Sequence, residues 1–269
     1  MSAEISEVRP LGLKPVQHQH RQTPRPDPFI FNREDGDINV LLCASGSVAT
    51  IKIPNIINAL AKHKNVRIRL VFTSSAANFL QGQSTEQPRI ADIEALPNVD
   101  AVYFDADEWA EPWVRGNKIL HIELRRWADI MVIAPLSANE LAKITQGWSD
   151  NLLLSVVRAW DTTGLIDPVR DIPGVQWAEA RGAESAVRKK RIIVAPSMNT
   201  AMWLQPITKK QIDILNDEWG VDNGGWFEVL QPMQKELACG DVGGGAMKDW
   251  REIVGLIEER LGLSGDEGR

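Results

Sequence analysis

The sequence predicts an α/β fold, a doubly wound parallel sheet with helices on both faces. Apolar, β-branched runs recur at 38–43, 66–72, 130–134 and 192–194. Near-continuous apolar strands of this kind are buried on both faces of a sheet. Each run ends in a turn rich in Gly, Ser, Thr, Pro or Asn, and a stretch with helical character follows. That alternation of strand and helix is what builds a parallel sheet.

A length of 269 residues with 43% hydrophobic side chains supports one domain with a full core. We expect a disordered tail over 1–36, a folded domain over 37–262 with a surface insertion at about 162–190, and a polar tail over 263–269. The first segment carries Pro10, Pro15, Pro24, Pro26 and Pro28 and no sustained apolar period. Its His18 and His20 do not fill a coordination sphere, so no metal site is expected. A net charge of −6 argues against nucleic acid as the main partner. No apolar run approaches membrane-spanning length and no leader pattern opens the chain, so no membrane association is expected. Two distant cysteines, Cys43 and Cys239, make neither a disulfide scaffold nor a thiolate metal site, which fits a reducing, cytoplasmic location. Ten tryptophans against one tyrosine fit interface use.

The first strand, 38–43, leads through Ala44-Ser45-Gly46-Ser47 into a helix expected over 48–63, with Ile53, Ile56, Ile57 and Leu60 at helical spacing. Pro54 falls in its first turns, where a missing N–H is tolerated. Gly46 permits close backbone approach, the helix start offers free N–H groups, and the serines add hydroxyls. The turn therefore suits a single phosphate, or it is a plain tight turn. A P-loop lysine and a GxGxxG pattern are both missing. Strand 66–72 closes on Thr73-Ser74-Ser75, and a helix begins over 76–80. Residues 81–100 read as loop and 102–104 as a short third strand. The acidic residues Asp105, Asp107, Glu108 and Glu111 are irregularly spaced and read as a solvated loop rather than a cation site. His121 sits among apolar neighbours in 120–127, as either a structural or a catalytic imidazole. After strand 130–134, Ser137 or Asn139 caps a helix running to Gln146, and 151–160 is a further helix. Residues 162–190 break the alternation with Gly164, Pro168, Pro173, Gly174 and Gly182, so they read as an inserted loop. The adjoining Arg188-Lys189-Lys190-Arg191 reads as a solvated charge run.

Strand 192–194 and its turn Ala195-Pro196-Ser197-Met198-Asn199 form the centre of the chain. A polar amide just past the carboxyl end of a buried parallel strand is either a helix cap or a ligand-binding group. A helix over 205–219, a last strand over 226–230 and an amphipathic helix over 249–261 complete the alternation. Between the last two, 231–247 is polar and Gly-rich, and it suits a flap hinged at Gly240 and Gly243 to Gly245. Cys239 within it is the better of the two cysteines for chemistry, since Cys43 lies in a strand.

Pro196-Ser197-Met198-Asn199-Thr200-Ala201-Met202-Trp203 resembles the PxMNxxMW signature of the flavin-dependent cysteine decarboxylases, whose best-known type is phosphopantothenoylcysteine decarboxylase. Further blocks agree in order over about 38–261. Gly46-Ser47-Val48 resembles the family's flavin-phosphate turn, and Thr73-Ser74-Ser75 its second FMN contact. Residues 105–109 with 120–129 resemble the block that holds the active-site His, here His121. Residues 134–139 resemble the block that holds the flavin ring, and Cys239-Gly240-Asp241 with Ala246-Met247 the substrate flap. Glu236 stands where the family usually carries Lys or Arg, with Lys235 beside it.

The resemblance implies a single flavodoxin-like or Rossmann-like domain that binds FMN. Gly46, Ser47, Val48, Thr73, Ser74, Ser75, Ser137, Ala138, Asn139, Glu140 and Ser197 are its implied cofactor contacts. His121, Cys239 and Asn199 are the implied catalytic residues, and Asn199, Ala238, Met247 and Lys235 the implied substrate contacts. The implied reaction is decarboxylation of 4′-phosphopantothenoylcysteine to 4′-phosphopantetheine in coenzyme A biosynthesis. Oxidising the cysteinyl thiol creates an electron sink that lets an otherwise inert carboxylate leave as carbon dioxide. The family's architecture implies a homotrimer with sites at subunit interfaces. Two alternatives stay open: an inhibitory subunit of a Ser/Thr protein phosphatase, and a peptidyl-cysteine decarboxylase.

Overall fold

The computed structural model describes residues 36–180, 187–236 and 242–263. Its centre is a six-stranded sheet built from β1 (Ile38–Ala44), β2 (Val66–Phe72), β3 (Val99–Phe104), β4 (Ile130–Leu136), β7 (Arg191–Pro196) and β8 (Phe227–Val229). The strands lie in the order β3-β2-β1-β4-β7-β8, and every neighbouring pair is parallel. Counted along the chain this is the 3-2-1-4-5-6 arrangement, the Rossmann variant of the doubly wound fold, with its switch point between β1 and β4.

The period of two explains the two cores. Val40, Leu42 and Ala44 of β1 join one cluster, with Ile53, Ile56, Ile57 and Leu60 of α1 (Ile53–Leu60) and Ile253, Val254 and Ile257 of α10 (Trp250–Arg260). Leu41 and Cys43 face the opposite cluster. There they meet α5 (Leu120–Trp127), α6 (Ala138–Gln146), α7 (Leu152–Arg158) and α9 (Pro206–Asp213). Burial raises the Cys43 thiol above its ordinary range, so this cysteine is chemically inert.

Several boundaries differ from the sequence expectation. The helix after β1 begins as a 3₁₀ turn, Val48–Lys52, before α1. A short α2 (Ser74–Ala77) starts earlier than expected because the Thr73 hydroxyl accepts from the Ala76 N–H. The loop before β3 holds α3 (Ile90–Glu94). β3 itself starts at Val99, where Arg67 of the neighbouring strand pairs with Asp100. Of the acidic run, Asp105, Asp107 and Glu108 lie not in a solvated loop but in α4 (Asp105–Glu108), with Asp107 Oδ2 accepting from the Phe104 N–H at 2.7 Å, while Glu111 is exposed in the loop beyond it. The Gly-rich segment forms an antiparallel pair, β9 (Met233–Glu236) and β10 (Val242–Ala246).

The inserted segment is anchored where the structure describes it. Asp161 accepts the N–H groups of Thr163, Gly164, Ile166 and Asp167 and the Thr163 hydroxyl, all at 2.7–3.0 Å. Asp167 pairs with Arg125 at 2.7 Å, and Arg170 pairs with Asp129 and donates to the Asp37 carbonyl at 2.6 Å. Two-residue strands β5 (Ala178–Glu179) and β6 (Arg188–Lys189) pair antiparallel, and β6 leads into β7.

Arg188 of the basic run is exposed as expected, but the other three residues are not a solvated face. Lys189 donates to the Gly224 carbonyl at 2.8 Å, and Arg191 pairs with Glu228 at 3.2 Å. Lys190 is buried and donates to the Arg125 and Arg126 carbonyls at 2.9 and 3.3 Å, which puts a cation on the negative end of α5.

Burial alone would raise the Asp161 carboxyl. The N–H groups of Asp167, Thr163 and Ile166 with the Thr163 hydroxyl outweigh it and hold the group at about 2. A folded-state value below the unfolded one adds stability above about pH 4 that is lost as pH falls towards about 2. Asp161→Asn is therefore expected to cost about 2 kcal/mol near neutrality, the scale of hydrogen bonds to a charged acceptor. Thermal melts at pH 7 and between pH 4 and 2 check this: the wild-type advantage should shrink across the acid range. A variant melt equal to wild type at pH 7 would contradict it.

Candidate functional site

Three turns at the carboxyl ends of β1, β4 and β7 meet at the switch point and bond to one another. The buried Ser45 donates its hydroxyl to the Pro135 carbonyl at 3.0 Å and accepts the Ser137 N–H at 2.7 Å. The Ser47 and Ser197 hydroxyls lie 2.9 Å apart and share a hydrogen bond. The first turn is thus tied to both of the others, which fixes the geometry of whatever lies above them.

What lies above them is a cavity of about 580 Å³. Gly46, Ser47, Val48, Ser75, Ser137, Ala138, Asn139, Ser197, Asn199 and Met247 line it, and all ten were expected at the site from sequence. The volume and the mixed lining of apolar groups and a few hydroxyls and amides match a small-cofactor site. A Cβ added at Gly46 would stand 2.6 Å from the Ser75 Cβ, so the turn holds only because it has no side chain there. A groove floor of bare backbone, helix starts and serine hydroxyls at a switch point fits a phosphorylated mononucleotide.

Of the two readings left open for Asn199, the helix cap is observed. Its Oδ1 accepts the Met202 N–H at 2.8 Å and caps α8 (Thr200–Trp203). Its Nδ2 bonds to no other described residue and remains available as a donor on the cavity wall. Capping fixes the amide's orientation and leaves its N–H groups facing the cavity.

Other expected contacts sit elsewhere. Thr73 spends its hydroxyl on capping α2, and Ser74 donates to Asp105 Oδ2 at 2.9 Å. Neither lines the cavity, whereas Ser75 does. Glu140 also lies behind the wall: it accepts from Asn139 and Asn151, both at 3.2 Å, and burial raises its carboxyl. Its effect on the cavity is to orient Asn139.

His121, on the first turn of α5, does not line the cavity. Its Nδ1 is bonded to the buried Glu108 carboxylate. Both stand at the carboxyl side of β3, the edge strand, while the cavity opens over β1, β4 and β7. Ala238 and Cys239 lie outside the described residues. Lys235 is placed by its backbone, paired with Gly243 in the β9–β10 ladder.

Sequence reasoning missed Lys52, Met233, Lys248 and Trp250, which also line the cavity. Lys52 ends the 3₁₀ turn that follows Gly46-Ser47, and Lys248 pairs with Glu252 at 2.9 Å. A cation one turn past the Gly46-Ser47 turn was the available signal.

The three glycines of β10 serve close packing. Added Cβ atoms at Gly243, Gly244 and Gly245 would meet Thr200 at 2.6 Å, Trp203 at 2.9 Å and the Met198 carbonyl at 2.6 Å. The Gly245 carbonyl accepts the Met198 N–H at 2.9 Å. Backbone of the segment expected as a flap therefore lies directly on the central motif.

Several proteins are similar to this chain over most of its length. A probable phosphopantothenoylcysteine decarboxylase of Arabidopsis thaliana is 40% identical over 78% of this chain and 82% of its own. Coenzyme A biosynthesis protein 3 of Saccharomyces cerevisiae is 36% identical over 87% of this chain. The chain spans about a third of the length of the fungal relatives it matches. A solved structure superposes with a TM-score of 0.61 at 36% identity, covering 82% of this chain and 97% of its own. It is a phosphopantothenoylcysteine decarboxylase with a cysteine-to-serine substitution, complexed with pantothenoylaminoethenethiol. The Flavoprotein family profile matches residues 29–262, and with these relatives it places the chain in the Flavoprotein family, beside the phosphopantothenoylcysteine decarboxylases.

Proposed function

We propose that this protein binds FMN in the switch-point cavity and decarboxylates 4′-phosphopantothenoylcysteine to 4′-phosphopantetheine, a carbon–carbon lyase step of coenzyme A biosynthesis. The observation that carries this reading is the cavity itself, with Gly46 bare against Ser75 and the free amide of Asn199 on its wall.

FMN, when bound, would supply the two-electron acceptor that turns the substrate's thiol carbon into an electron sink, and would return the same two electrons after carbon dioxide has left, so that the net reaction is redox-neutral. The protein's residues do the rest. Ser47, Ser75, Ser137 and Ser197 offer hydroxyls, and the turn backbone offers N–H groups, to the phosphate and ring edges of the cofactor. Asn199 Nδ2 donates to the substrate carboxylate and holds it for loss of carbon dioxide. Met233 and Met247 give the cavity an apolar wall that keeps water from the nascent carbanion. The Cys239 thiol protonates the resulting enethiolate; an unperturbed thiol near 8.5 is a competent donor close to neutrality. His121 acts as base or orienter beside the carboxylate.

Because His121 stands off the cavity of its own chain, the reading requires it to come from a second copy. Two unlike apolar faces support a closed ring of copies. Met202, Leu204 and Ile207 are exposed beside the cavity, and Trp109, Trp113 and Val114 are exposed in the segment between α4 and α5 that leads to His121. Heterologous pairing of unlike faces closes into rings, of which a homotrimer is the expected one. Two distant cysteines fit a reducing compartment, and on that ground we place the protein in the cytoplasm; no helix among the described residues is long and apolar enough to cross a membrane.

The direct test is an absorbance scan of purified protein followed by a carbon dioxide assay with phosphopantothenoylcysteine. A colourless protein that FMN cannot reconstitute would end the proposal. Cys239→Ser is expected to release carbon dioxide for a single turnover and then stall with an enethiol product, read by mass spectrometry. Normal turnover to 4′-phosphopantetheine in that variant would remove the cysteine from the mechanism.

A further inference from the structure

We propose that Glu108 is a positioning residue for His121: its carboxylate takes the Nδ1–H hydrogen bond and leaves Nε2 as the working nitrogen. The inference deepens the role given to His121 above and rests on it.

The geometry is built rather than incidental. Glu108 Oε1 is bonded to His121 Nδ1, and the Glu108 side chain is only 2% exposed, against 21% for the imidazole. The turn that carries Glu108 is fixed from several sides. Asp107 accepts the Phe104 N–H at 2.7 Å, and Asp105 accepts the Ser74 hydroxyl at 2.9 Å and the Leu152 N–H at 3.1 Å. α4 is thereby tied to the turn after β2 and to the start of α7. The side chain of Glu108 has little freedom to leave the imidazole.

The charged neighbours are otherwise engaged. On and before α5, Glu123 pairs with Arg126 at 2.7 Å and with Lys118 at 3.7 Å, and Arg125 pairs with Asp167 at 2.7 Å. On α7 the charged residue is Arg158, which is exposed. On α4, Asp105 and Asp107 are committed as described. Glu108 is the group bonded to His121, and it stands at the N-terminal end of α5, where the helix dipole favours a negative charge.

An ionised carboxylate only accepts hydrogen bonds, so the proton of neutral His121 must sit on Nδ1. Free imidazole favours the opposite tautomer. Nε2 is then the nitrogen with an unused lone pair, and the neutral imidazole is held in one tautomer instead of two.

The test uses the full-length protein labelled with ¹⁵N-histidine, with His121→Asn identifying the resonance. Wild type is expected to show a protonated Nδ1 and a bare Nε2 in the neutral imidazole. Glu108→Ala should lose that preference and lower kcat about tenfold or more with KM unchanged, a tautomer effect of the kind known in catalytic triads. Glu108→Gln keeps an acceptor oxygen and should restore most of both readouts, which separates positioning from a folding defect. A wild-type proton on Nε2, or a Glu108→Ala protein with unchanged tautomer and kcat, overturns the assignment. Full activity in His121→Asn would instead remove the functional reading of His121 and leave the tautomer result standing.

Discussion

Replacing His121 by asparagine is expected to leave the protein yellow, with its flavin content unchanged, and to cut turnover by about 10²- to 10⁴-fold, the usual range for losing a positioned acid or base. The unchanged flavin content follows from one fact. His121 is absent from the lining of the cavity that would hold the cofactor, so removing it takes nothing from FMN binding. If a second copy supplies the imidazole, His121→Asn subunits should complement Cys239→Ser subunits. In a random one-to-one mixture about a quarter of the interfaces would join two intact partners, and activity should recover to about that level. Separate purification with each variant inactive, followed by co-expression and assay, checks the point. An active monomer by sedimentation, or no recovery in the mixture, would place His121 in the site of its own chain and contradict the geometry.

The strands and the switch-point turns were legible in the sequence because their signal is local. A run such as Ile192-Ile193-Val194 is apolar on successive residues, and only burial on both faces tolerates that. Gly46-Ser47 and Ser197-Met198-Asn199 were legible for a related reason: close backbone approach and helix capping restrict the residue types allowed. What the sequence hid depends on distant partners. Arg188-Lys189-Lys190-Arg191 looks like a solvated run, yet Lys190 is buried because α5, more than sixty residues earlier, presents the carbonyls of Arg125 and Arg126 to it. Glu108 looks like one acid among several until α5 brings His121 beside it. The glycines of β10 suggest a hinge by composition, and only the approach of Met198, Thr200 and Trp203 reveals packing as their reason. Charge and glycine patterns report a requirement, and the tertiary partner decides which one.

Gly46→Val should abolish flavin binding without unfolding the protein. The φ of Gly46 is not in the left-handed region, so the argument is steric. An added Cβ would come to 2.6 Å of the Ser75 Cβ and 3.4 Å of its Oγ, and the branched methyls of valine need still more room. Relief requires the turn after β1 to move away from the turn after β2. That turn carries Ser45, which bonds Pro135 and Ser137, and Ser47, which bonds Ser197. A shift of a few tenths of an ångström therefore reaches all three walls of the cavity. Overpacking of this kind costs about 1–3 kcal/mol of stability, which a domain of this size survives, while the FMN affinity is expected to fall at least a hundredfold because several phosphate contacts lose their geometry together. The control is Gly255→Ala in the middle of α10, where an added Cβ meets nothing within 4 Å. That substitution should gain about 0.5–1 kcal/mol through helix propensity and leave flavin binding untouched. Flavin titration followed by fluorescence, with thermal melts of the apoproteins, reads both effects. Wild-type affinity in Gly46→Val would mean that the cofactor sits elsewhere, since no ligand can occupy this floor and ignore the closing of its narrowest point.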